Sequence, residues 1–393
     1  MVECIYWRID MKKDIGIYIH IPFCKSKCYY CDFVSYCKYE NDTIEKYIDA
    51  LCNEIIQKAD ILSECNIKTI YFGGGTPSFI DEKYIEKIMN ILSLFLKDDE
   101  KREITIEVNP NTVNYDKLML YKKCGINRLS IGLQSTHDKV LKNIGRTHTY
   151  SDVLNTLELL SKIGFTNISV DIIYPLPGLS VKMFDDTLNT LLTLKENYNI
   201  KHMSIYNLEI HENTKLYFLL NEGFLSLVDE DEEYVMYQHL INTLESNNFN
   251  RYEISNFSLL GYESKHNLNY WNQGEYLGFG VSASSFYAGS RYKNIDNIDS
   301  YINSIQNYKS IILQREDLDK LAMIKEYIIL KLRLKNGINK KEFFNRFNVN
   351  IYDLFKIELD ELFSYKLLEE SKDNIYLSNR GKEVANLVWE KFI

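Results

Sequence analysis

The sequence predicts an α/β fold in which an open barrel of parallel strands is covered by helices and followed by a smaller C-terminal helical module. Up to about residue 210, short apolar runs rich in β-branched residues alternate with longer amphipathic stretches, and the rhythm then breaks. Repeated strand–helix units of this kind form a parallel sheet with helices outside it. The 393 residues are also many for one domain, which favours a main domain plus an appendage.

Six strand–helix units make up the predicted barrel. Strands are expected at Ile15–Ile21, Thr69–Phe72, Glu103–Val108, Arg128–Leu133, Ile168–Ile173 and His202–Leu208. Helices are expected at Asp42–Leu62 (with Asp42 as N-cap), Asp81–Leu96, Asn114–Lys123, Thr149–Ile163 and Lys182–Lys195. Right-handed crossovers curl such a sheet, and six units instead of eight leave it open. The prediction is therefore an open (βα)6 partial TIM-type barrel, whose ligands gather at the carboxyl ends of its strands.

The chain divides into four predicted parts. They are an N-terminal extension (1–14), the barrel (15–210), an α+β segment that completes the barrel (211–315) and a winged-helix-like module (316–393). In the last two parts, helices are expected at Glu230–Asn247, Leu318–Leu334, Lys340–Arg346, Ile351–Ser364 and Arg380–Phe392, with a strand at Tyr252–Phe257, a hairpin within Tyr365–Leu377 and Ser378 as the last N-cap.

The winged-helix-like module lacks the charge of a DNA binder. Its second short helix carries four acidic residues against a lone Lys356, whereas a DNA-reading helix is basic. We therefore expect the module to form a lid or an interaction surface.

Composition narrows the possible partners. The net charge of −9 and the mixed acidic and basic residues argue against a nucleic-acid partner. No apolar stretch approaches the roughly 20 residues that span a bilayer, and residues 1–14 lack the apolar core of a signal peptide. These features predict a reduced, cytoplasmic protein.

Three cysteines, Cys24, Cys28 and Cys31, lie within eight residues in the run HIPFCKSKCYYCDF. Their spacing does not suit tetrahedral zinc, which takes four ligands, but it suits a [4Fe-4S] cluster held by three thiolates, with one iron left open for another ligand. The alternative, cysteines packed as small hydrophobes, conflicts with the polar residues among them. Lys25 and Lys27 are also expected to favour thiolates. The remaining cysteines are assigned to packing or the surface: Cys4, Cys37, Cys52, Cys65 and Cys124.

Around this motif the sequence resembles the radical S-adenosylmethionine (SAM) superfamily. The segment from Gly73 to Pro77 (GGGTP) matches the family segment that meets the amino group of SAM, which implicates Gly74, Gly75 and Thr76. A lone glycine run could equally be a tight turn. The resemblance implies further SAM contacts at Tyr18, Tyr30, Glu107, Gln134, Arg146 and Asp171. Taken singly, the charged residues could be solvated loop or strand-end groups.

Within that superfamily, the chain is similar to the coproporphyrinogen dehydrogenase-like group from Ile15 to the last helix. The dehydrogenases carry a cysteine two positions after the last cluster ligand, where this chain has Phe33. The segment HNLNYW matches a word of the group's heme chaperones, which implies heme contacts at His266, Tyr270 and Trp271. The alternative for His266 is a loop histidine with a local hydrogen bond, and His20 is as easily a packing residue.

Two departures from the group temper the match. Tyr174-Pro175 stands where relatives often have Tyr-Gly, and Ser284 and Ser285 stand where several relatives have a histidine. The first stiffens a loop without removing a ligand, whereas the second removes a histidine that could serve heme.

The resemblance implies a heme chaperone that binds a [4Fe-4S] cluster, SAM and heme, and that passes heme as cargo to respiratory acceptor proteins, with transient membrane-protein contact. The rival is an oxygen-independent coproporphyrinogen III dehydrogenase, and a radical enzyme acting on heme itself is a third possibility. Phe33 and HNLNYW favour the chaperone.

Overall fold

The computed structural model describes residues 12–37 and 39–393. Its main sheet has, within these residues, 12 strands in the order β12-β11-β10-β9-β1-β2-β3-β4-β5-β6-β8-β7. Residues 1–11 of the predicted N-terminal extension lie outside the described residues, and Lys13 and Asp14 belong to the first strand.

The barrel is built from six consecutive parallel strands. They are β1 Lys13–Ile21, β2 Cys65–Gly74, β3 Glu103–Val108, β4 Arg128–Gln134, β5 Ile168–Tyr174 and β6 Ile200–Asn207. The helices between them are α1 Asn41–Gln57, α2 Ala59–Glu64, α3 Glu82–Ser93, α4 Tyr115–Lys123, α5 Asp138–Asn143, α6 Tyr150–Ile163 and α7 Val181–Tyr198. Neighbouring strands pair in parallel from β1 to β6, and β1 and β6 each pair with a further strand. The predicted open (βα)6 architecture is confirmed.

The two faces of the barrel strands differ in polarity. Ile15, Ile17 and Ile19 of β1 are fully buried in the main hydrophobic core, together with residues of the surrounding helices. On the other face, Tyr18 and His20 hydrogen-bond to each other, and His20 also bonds to the Val34 carbonyl in the loop that follows β1. A fully covered parallel strand is usually a continuous apolar run, so this alternation marks an inner face that is built to line a cavity.

The segment after β6 extends the sheet at both edges. It contains α8 Lys215–Asn221, α9 Glu230–Ser246, β7 Asn250–Arg251, β8 Asn256–Ser258, α10 Lys265–Trp271, β9 Tyr276–Phe279, β10 Ser284–Tyr287, β11 Ser290–Asn294, α11 Ile298–Gln306 and β12 Ile312–Asp317. Strand β9 pairs in parallel with β1, whereas β8 pairs antiparallel with β6. The chain thus returns to the first strand of the barrel after leaving the last.

The C-terminal module has a hydrophobic core of its own, which includes Ile328, Phe343 and Leu359. Its elements are α12 Lys320–Arg333, β13 Ile338–Asn339, α13 Lys340–Phe347, α14 Ile351–Ser364, β14 Leu368–Glu370, β15 Asn374–Leu377, α15 Asn379–Glu383 and α16 Ala385–Trp389. The predicted hairpin becomes a three-stranded sheet because β13 pairs with β15. Ser378 caps the last helical segment, as predicted, by accepting from the Gly381 N–H.

Several element boundaries differ from prediction. The helix expected to end at Leu62 breaks at Lys58, and its first residue is Asn41, so Asp42 lies in the first turn and pairs with Lys46 instead of acting as N-cap. The last helix, expected as one, is interrupted at Val384. No helix in the described part of the chain is long and apolar enough to cross a membrane.

Candidate functional site

The first part of the site is the cluster loop, residues 22–36, which follows the carboxyl end of β1. Two backbone hydrogen bonds close it. The Cys24 N–H donates to the Tyr36 carbonyl over 3.0 Å, and the Tyr36 N–H donates to the Pro22 carbonyl over 2.7 Å. The loop is also tied to β1 through His20, whose Nε2 lies 3.1 Å from the Val34 carbonyl oxygen. Both arms of the loop are therefore held at the mouth of the barrel.

The three thiols of the cluster loop differ in exposure, because Cys24 is buried whereas Cys28 and Cys31 are half-buried. Cys24 is 8% exposed, and burial raises its pKa to about 11. Burial also raises the pKa of Cys31, and the nearby Cys28 raises it further. Lys27 lowers the pKa of Cys31, in the direction that favours a thiolate, but the effect of burial is larger. Metal binding at these thiols would release protons.

The donor set fits a multi-iron cluster. Cys24 Sγ lies 3.5 Å from Thr76 Oγ1, and Arg146 Nη1 donates to Cys28 Sγ over 3.5 Å. After burial, which has the largest effect, Cys37, Cys31 and Cys28 all raise the pKa of Cys24, so the three motif sulfurs share one electrostatic neighbourhood with Cys37. In the part of the chain that the structure describes, no three His, Cys, Asp or Glu side chains are grouped for a single metal ion.

The glycine run at the end of β2 makes room for the cluster loop. Gly74 has a φ of +114°, and a Cβ there would lie 2.6 Å from the His20 ring. At Gly75 a Cβ would lie 3.0 Å from Cys24 Sγ and 2.8 Å from the Pro22 carbonyl carbon. Both glycines are therefore required by close packing, and the run brings Thr76 up to the first cysteine.

A polar cleft opens beside the cysteines. It is lined by Lys25, Ser26, Cys28, Thr76, Asn109, Thr112, Arg146 and Thr147. Asn109 Oδ1 and Arg146 Nε are buried there without a hydrogen-bond partner, and so is the nearby Gln134 Oε1. Buried polar atoms are normally satisfied, so unpaired donors and acceptors around one cleft fit a ligand with its own polar groups, such as the amino, carboxylate and hydroxyl groups of SAM.

The end of β4 is shaped around Arg146. A Cβ at Gly132 would lie 2.3 Å from Arg146 Nη2, and this same nitrogen donates to the Gly132 carbonyl over 2.6 Å. Gln134, two residues later, has a φ of 66°, where non-glycine residues are strained. Gly132 was not among the predicted site residues, although a glycine inside a strand is itself a sign of close approach.

Two carboxylates on the inner face of the barrel complete the polar wall. Tyr71 donates to Glu107 Oε1 over 2.9 Å, and burial raises the pKa of Glu107 to about 7, with Asp171 adding to the rise. Asp171 accepts from Ser130 Oγ at 3.0 and 3.1 Å, yet burial still raises its pKa. Both carboxyl groups are therefore harder to ionise than free ones. A cation bound inside the barrel would favour their ionised forms.

The predicted tyrosines sit on either side of this wall. Tyr18 bonds to His20 Nδ1 over 3.0 Å and stacks with Tyr71 at 6.3 Å between ring centres. Tyr30 lies beside Cys28 and Arg146, and burial raises the pKa of its phenol. The structure thus brings together the cysteine motif, the glycine run and the predicted polar residues of β3, β4 and β5.

Comparisons with known proteins identify the family. The Radical SAM superfamily model matches residues 18–191, and the HemN C-terminal domain model matches residues 318–384. The chain is 36% identical to Heme chaperone HemW of Lactococcus lactis, over 98% of both chains. It is 35% identical to Heme chaperone HemW of Bacillus subtilis, over 96% of this chain and 98% of the other. The chain belongs to the HemW family.

A solved structure supports the fold of this chain independently. Coproporphyrinogen III oxidase (HemN) from Escherichia coli aligns with a TM-score of 0.85 at 22% identity, and it covers 98% of this chain and 91% of that one. At this identity the likeness shows the fold alone. It extends over the barrel and the C-terminal module together.

The HNLNYW segment of this HemW-family chain forms α10, which lies at the amino end of the barrel, away from the cluster loop. The backbone N–H groups of Lys265 and His266 donate to Glu103, the first residue of β3. His266 is 1% exposed, with Nδ1 2.8 Å from Thr69 Oγ1 and Nε2 2.7 Å from the Tyr270 hydroxyl. Both ring nitrogens are engaged, so in this conformation His266 presents neither of them to an iron.

Trp271, the last residue of α10, contacts the C-terminal module instead of an open surface. The Arg333 guanidinium lies 4.3 Å from the Trp271 ring centre and 5.0 Å from that of Trp389. Arg333 Nη2 also lies 3.4 Å from Glu253, which is buried. The structure therefore does not bring His266 and Trp271 to the strand ends where the cofactor residues meet. Burial raises the pKa of Tyr270, and Tyr276, Tyr18 and Glu107 add to the rise, so this phenol lies nearer to them.

Proposed function

We propose that this protein is a heme chaperone of the radical SAM type, which binds a [4Fe-4S] cluster, SAM and heme, and delivers heme to acceptor proteins. The observation that carries the proposal is its likeness, over nearly its whole length, to proteins named Heme chaperone HemW. Phe33 supports it, because the cysteine of the dehydrogenases is absent at that position and the Phe33 ring is 64% exposed.

Each cofactor has a proposed set of residues. Cys24, Cys28 and Cys31 hold the cluster. SAM is assigned to Tyr18, Tyr30, Gly74, Gly75, Thr76, Glu107, Gln134, Arg146 and Asp171, which surround the cleft and the inner face. When bound, the cluster supplies an electron able to split the sulfonium bond of SAM.

The protein residues of the site control charge and solvation. Arg146 places a cation against the Cys28 sulfur and so offsets the negative charge of the thiolates. Glu107 and Asp171 supply negative charge toward the positively charged sulfonium ligand. Gly74 and Gly75 keep the cluster loop and the glycine run in contact.

The proposed heme acceptors are respiratory proteins. The protein is proposed to reach them from the cytoplasm through transient contact at a membrane. His266, Tyr270 and Trp271 remain predicted heme contacts, and their positions under the barrel make a direct test necessary.

One experiment separates the chaperone from the dehydrogenase. The protein is purified without oxygen, its cluster is reconstituted, and SAM is supplied with either hemin or coproporphyrinogen III. We expect stable heme binding, transfer to an apo-acceptor and no protoporphyrinogen. Formation of protoporphyrinogen from coproporphyrinogen III would instead establish the enzyme.

A further inference from the structure

A basic pocket lies where the segment after the barrel meets the C-terminal module. One wall comes from the end of α9, from β7 and from the loop between β7 and β8. The other wall comes from the end of α12 and the residues that follow it, from β15 and from α15. The space between the walls is open to solvent and measures about 300 Å³. It shares no lining residue with the cleft beside the cysteines.

The charge that lines this basic pocket is opposite in sign to that of the whole chain. The chain has a net charge of −9. Four cations line the pocket against two carboxylates, namely Arg251, Arg333, Lys335 and Lys382 against Glu245 and Glu253. A concave surface with an excess of positive charge raises the local concentration of anions. The lining therefore favours an anionic ligand.

The two carboxylates neutralise this charge only in part. Glu253 is 2% exposed, and its oxygens accept from the Ser255 N–H, the Asn256 side-chain amide and Arg333. Glu245 lies in the last turn of α9 and is exposed, so solvent screens its attraction for the cations. The other cations of the basic pocket therefore face a single, solvated carboxylate.

Three of the cations are close enough to repel one another. Burial has the largest effect on Lys382 and lowers its pKa, and Arg251 and Lys335 lower the pKa further, whereas Glu245 and Glu369 raise it. Like charges that are held together disfavour each other's charged form. An anion bound among them would remove this repulsion.

Arg251 is fixed in position before any ligand binds. It is 8% exposed, and it donates to the Ile254 carbonyl through Nε over 3.0 Å and through Nη2 over 2.6 Å. Its Nη1 donates to the Tyr237 hydroxyl over 2.8 Å. A guanidinium that is already ordered loses little conformational freedom when it binds an anion.

Arg333 brings a buried donor that lacks an acceptor. Its Nε is buried without a hydrogen-bond partner. The guanidinium lies against the rings of Trp271 and Trp389, and the indole N–H groups of both are also buried and unpaired. Buried polar atoms are normally satisfied. Three unpaired donors in one neighbourhood call for a ligand that accepts hydrogen bonds.

A phosphate group has the charge and the oxygens that these donors need. It carries nearly two negative charges at pH 7 and several strong acceptor oxygens, whereas a carboxylate carries one charge on two oxygens. Guanidinium groups bind phosphate oxygens through paired N–H donors, and lysine amines add point charges. Because phosphate oxygens point in several directions, one group can accept from both walls of the basic pocket.

A ligand in the basic pocket would join two parts of the fold. Arg251 belongs to β7, which extends the barrel sheet, and Lys382 belongs to α15 of the C-terminal module. The two walls already meet where the Lys335 N–H donates to the Tyr252 carbonyl over 2.9 Å. An anion held by both walls would add charged contacts to this junction.

We propose that the basic pocket binds a phosphate group, as inorganic phosphate or as a small phosphate ester, and that the bound group fastens the C-terminal module to the barrel. The site takes no part in holding the cluster or heme. Its test therefore succeeds or fails independently of the proposed function.

The test is a calorimetric titration of the full-length protein with inorganic phosphate and, separately, with glycerol 3-phosphate, at constant ionic strength set by chloride. Tryptophan emission is a second readout, because two of the three tryptophans contact Arg333. The pocket variants are Lys335→Gln and Lys382→Gln. The control is Lys372→Gln, which removes an exposed lysine of the same module outside the basic pocket.

We expect saturable binding by the wild type and by Lys372→Gln, and binding at least about tenfold weaker in each pocket variant, because a charge-assisted contact is lost. Phosphate should also raise the melting temperature of the wild type more than that of the pocket variants. Equal affinities for the two compounds would identify the phosphate group as the recognised part, and tighter binding of glycerol 3-phosphate would identify an ester as the ligand.

Two results would overturn the proposal. One is a wild type that binds neither compound saturably. The other is binding that stays unchanged in both Lys335→Gln and Lys382→Gln while their circular dichroism spectra match the wild type, since the anion would then be held outside the basic pocket.

Discussion

We expect Glu107 to control how the binding of SAM depends on pH. Its carboxyl group faces the inside of the barrel, and burial raises its pKa from 4.5 to about 7. SAM carries a positive sulfonium group, so it favours the ionised carboxylate. With a pKa of about 7, roughly 9% of Glu107 is ionised at pH 6 and roughly 91% at pH 8, which gives about a tenfold gain in affinity for a ligand that binds only the ionised form.

The assay compares wild type with Glu107→Gln, whose amide does not titrate. Dissociation constants for SAM are measured anaerobically by equilibrium dialysis between pH 6 and pH 8. The amino group of SAM titrates near this range, so the informative quantity is the ratio of the two affinities at each pH. We expect this ratio to rise about tenfold in favour of wild type as pH increases. A ratio that stays constant would refute the role of Glu107.

Protein stability gives an independent check with a fixed sign. The folded-state pKa of Glu107 lies above its ordinary value of 4.5, so folding favours the protonated form. Its contribution to stability is fully present below pH 4.5 and is lost as pH rises through about 7. Glu107→Gln should therefore raise the melting temperature at pH 8 and have little effect at pH 4.5.

Three further substitutions test other parts of the structure. Cys24→Ala should abolish the brown absorbance of the reconstituted cluster. Its control, Cys52→Ala, removes a core thiol and should leave the iron and sulfide content intact. Equal iron content in the two variants would contradict the assignment of Cys24. Gly75→Ala should displace the cluster loop and lower iron content without unfolding the protein, since its Cβ would meet backbone atoms at 2.8 Å. Arg333→Ala should lower the free energy of unfolding by about 2–4 kcal/mol in denaturant titrations, because two ring contacts are lost and the buried Glu253 loses its cationic partner while keeping its bonds from Ser255 and Asn256. The exposed Arg315→Ala is its control and should change stability by less than about 1 kcal/mol.

The barrel could be predicted because the local sequence of each strand is typical of a β-strand. Runs such as EITIEV and ISVDII are β-branched and are bounded by polar residues, and their predicted limits agree with β3 and β5 to within one residue. The convergence of Cys24, Glu107 and Gln134 followed from topology, since parallel strands end on one rim.

The strands after β8 could not be predicted in the same way. Strand β9 (Tyr276–Phe279) is four residues long and lies in a stretch rich in glycine and aromatic residues. What makes it a strand is its pairing with β1, a partner some 260 positions away in the chain, as in Ile17 opposite Leu277. Local propensity carries no trace of such a partner.

The orientation of the HNLNYW segment could not be predicted from the sequence either. The motif gives the identity of His266 but not the direction of its ring, which depends on Thr69 and on Tyr71, whose ring stacks on it at 5.1 Å.

Helix α10 connects regions that are remote in sequence. His266 of α10 contacts Thr69 of β2 and Glu103 of β3, and Trp271 contacts Arg333 of the C-terminal module. Tyr71 stacks on His266 and holds Glu107 through its hydroxyl. Removal of the C-terminal module would therefore expose Trp271. We expect it also to weaken the position of Tyr71 and, through it, of Glu107, so the module supports the inner face of the barrel.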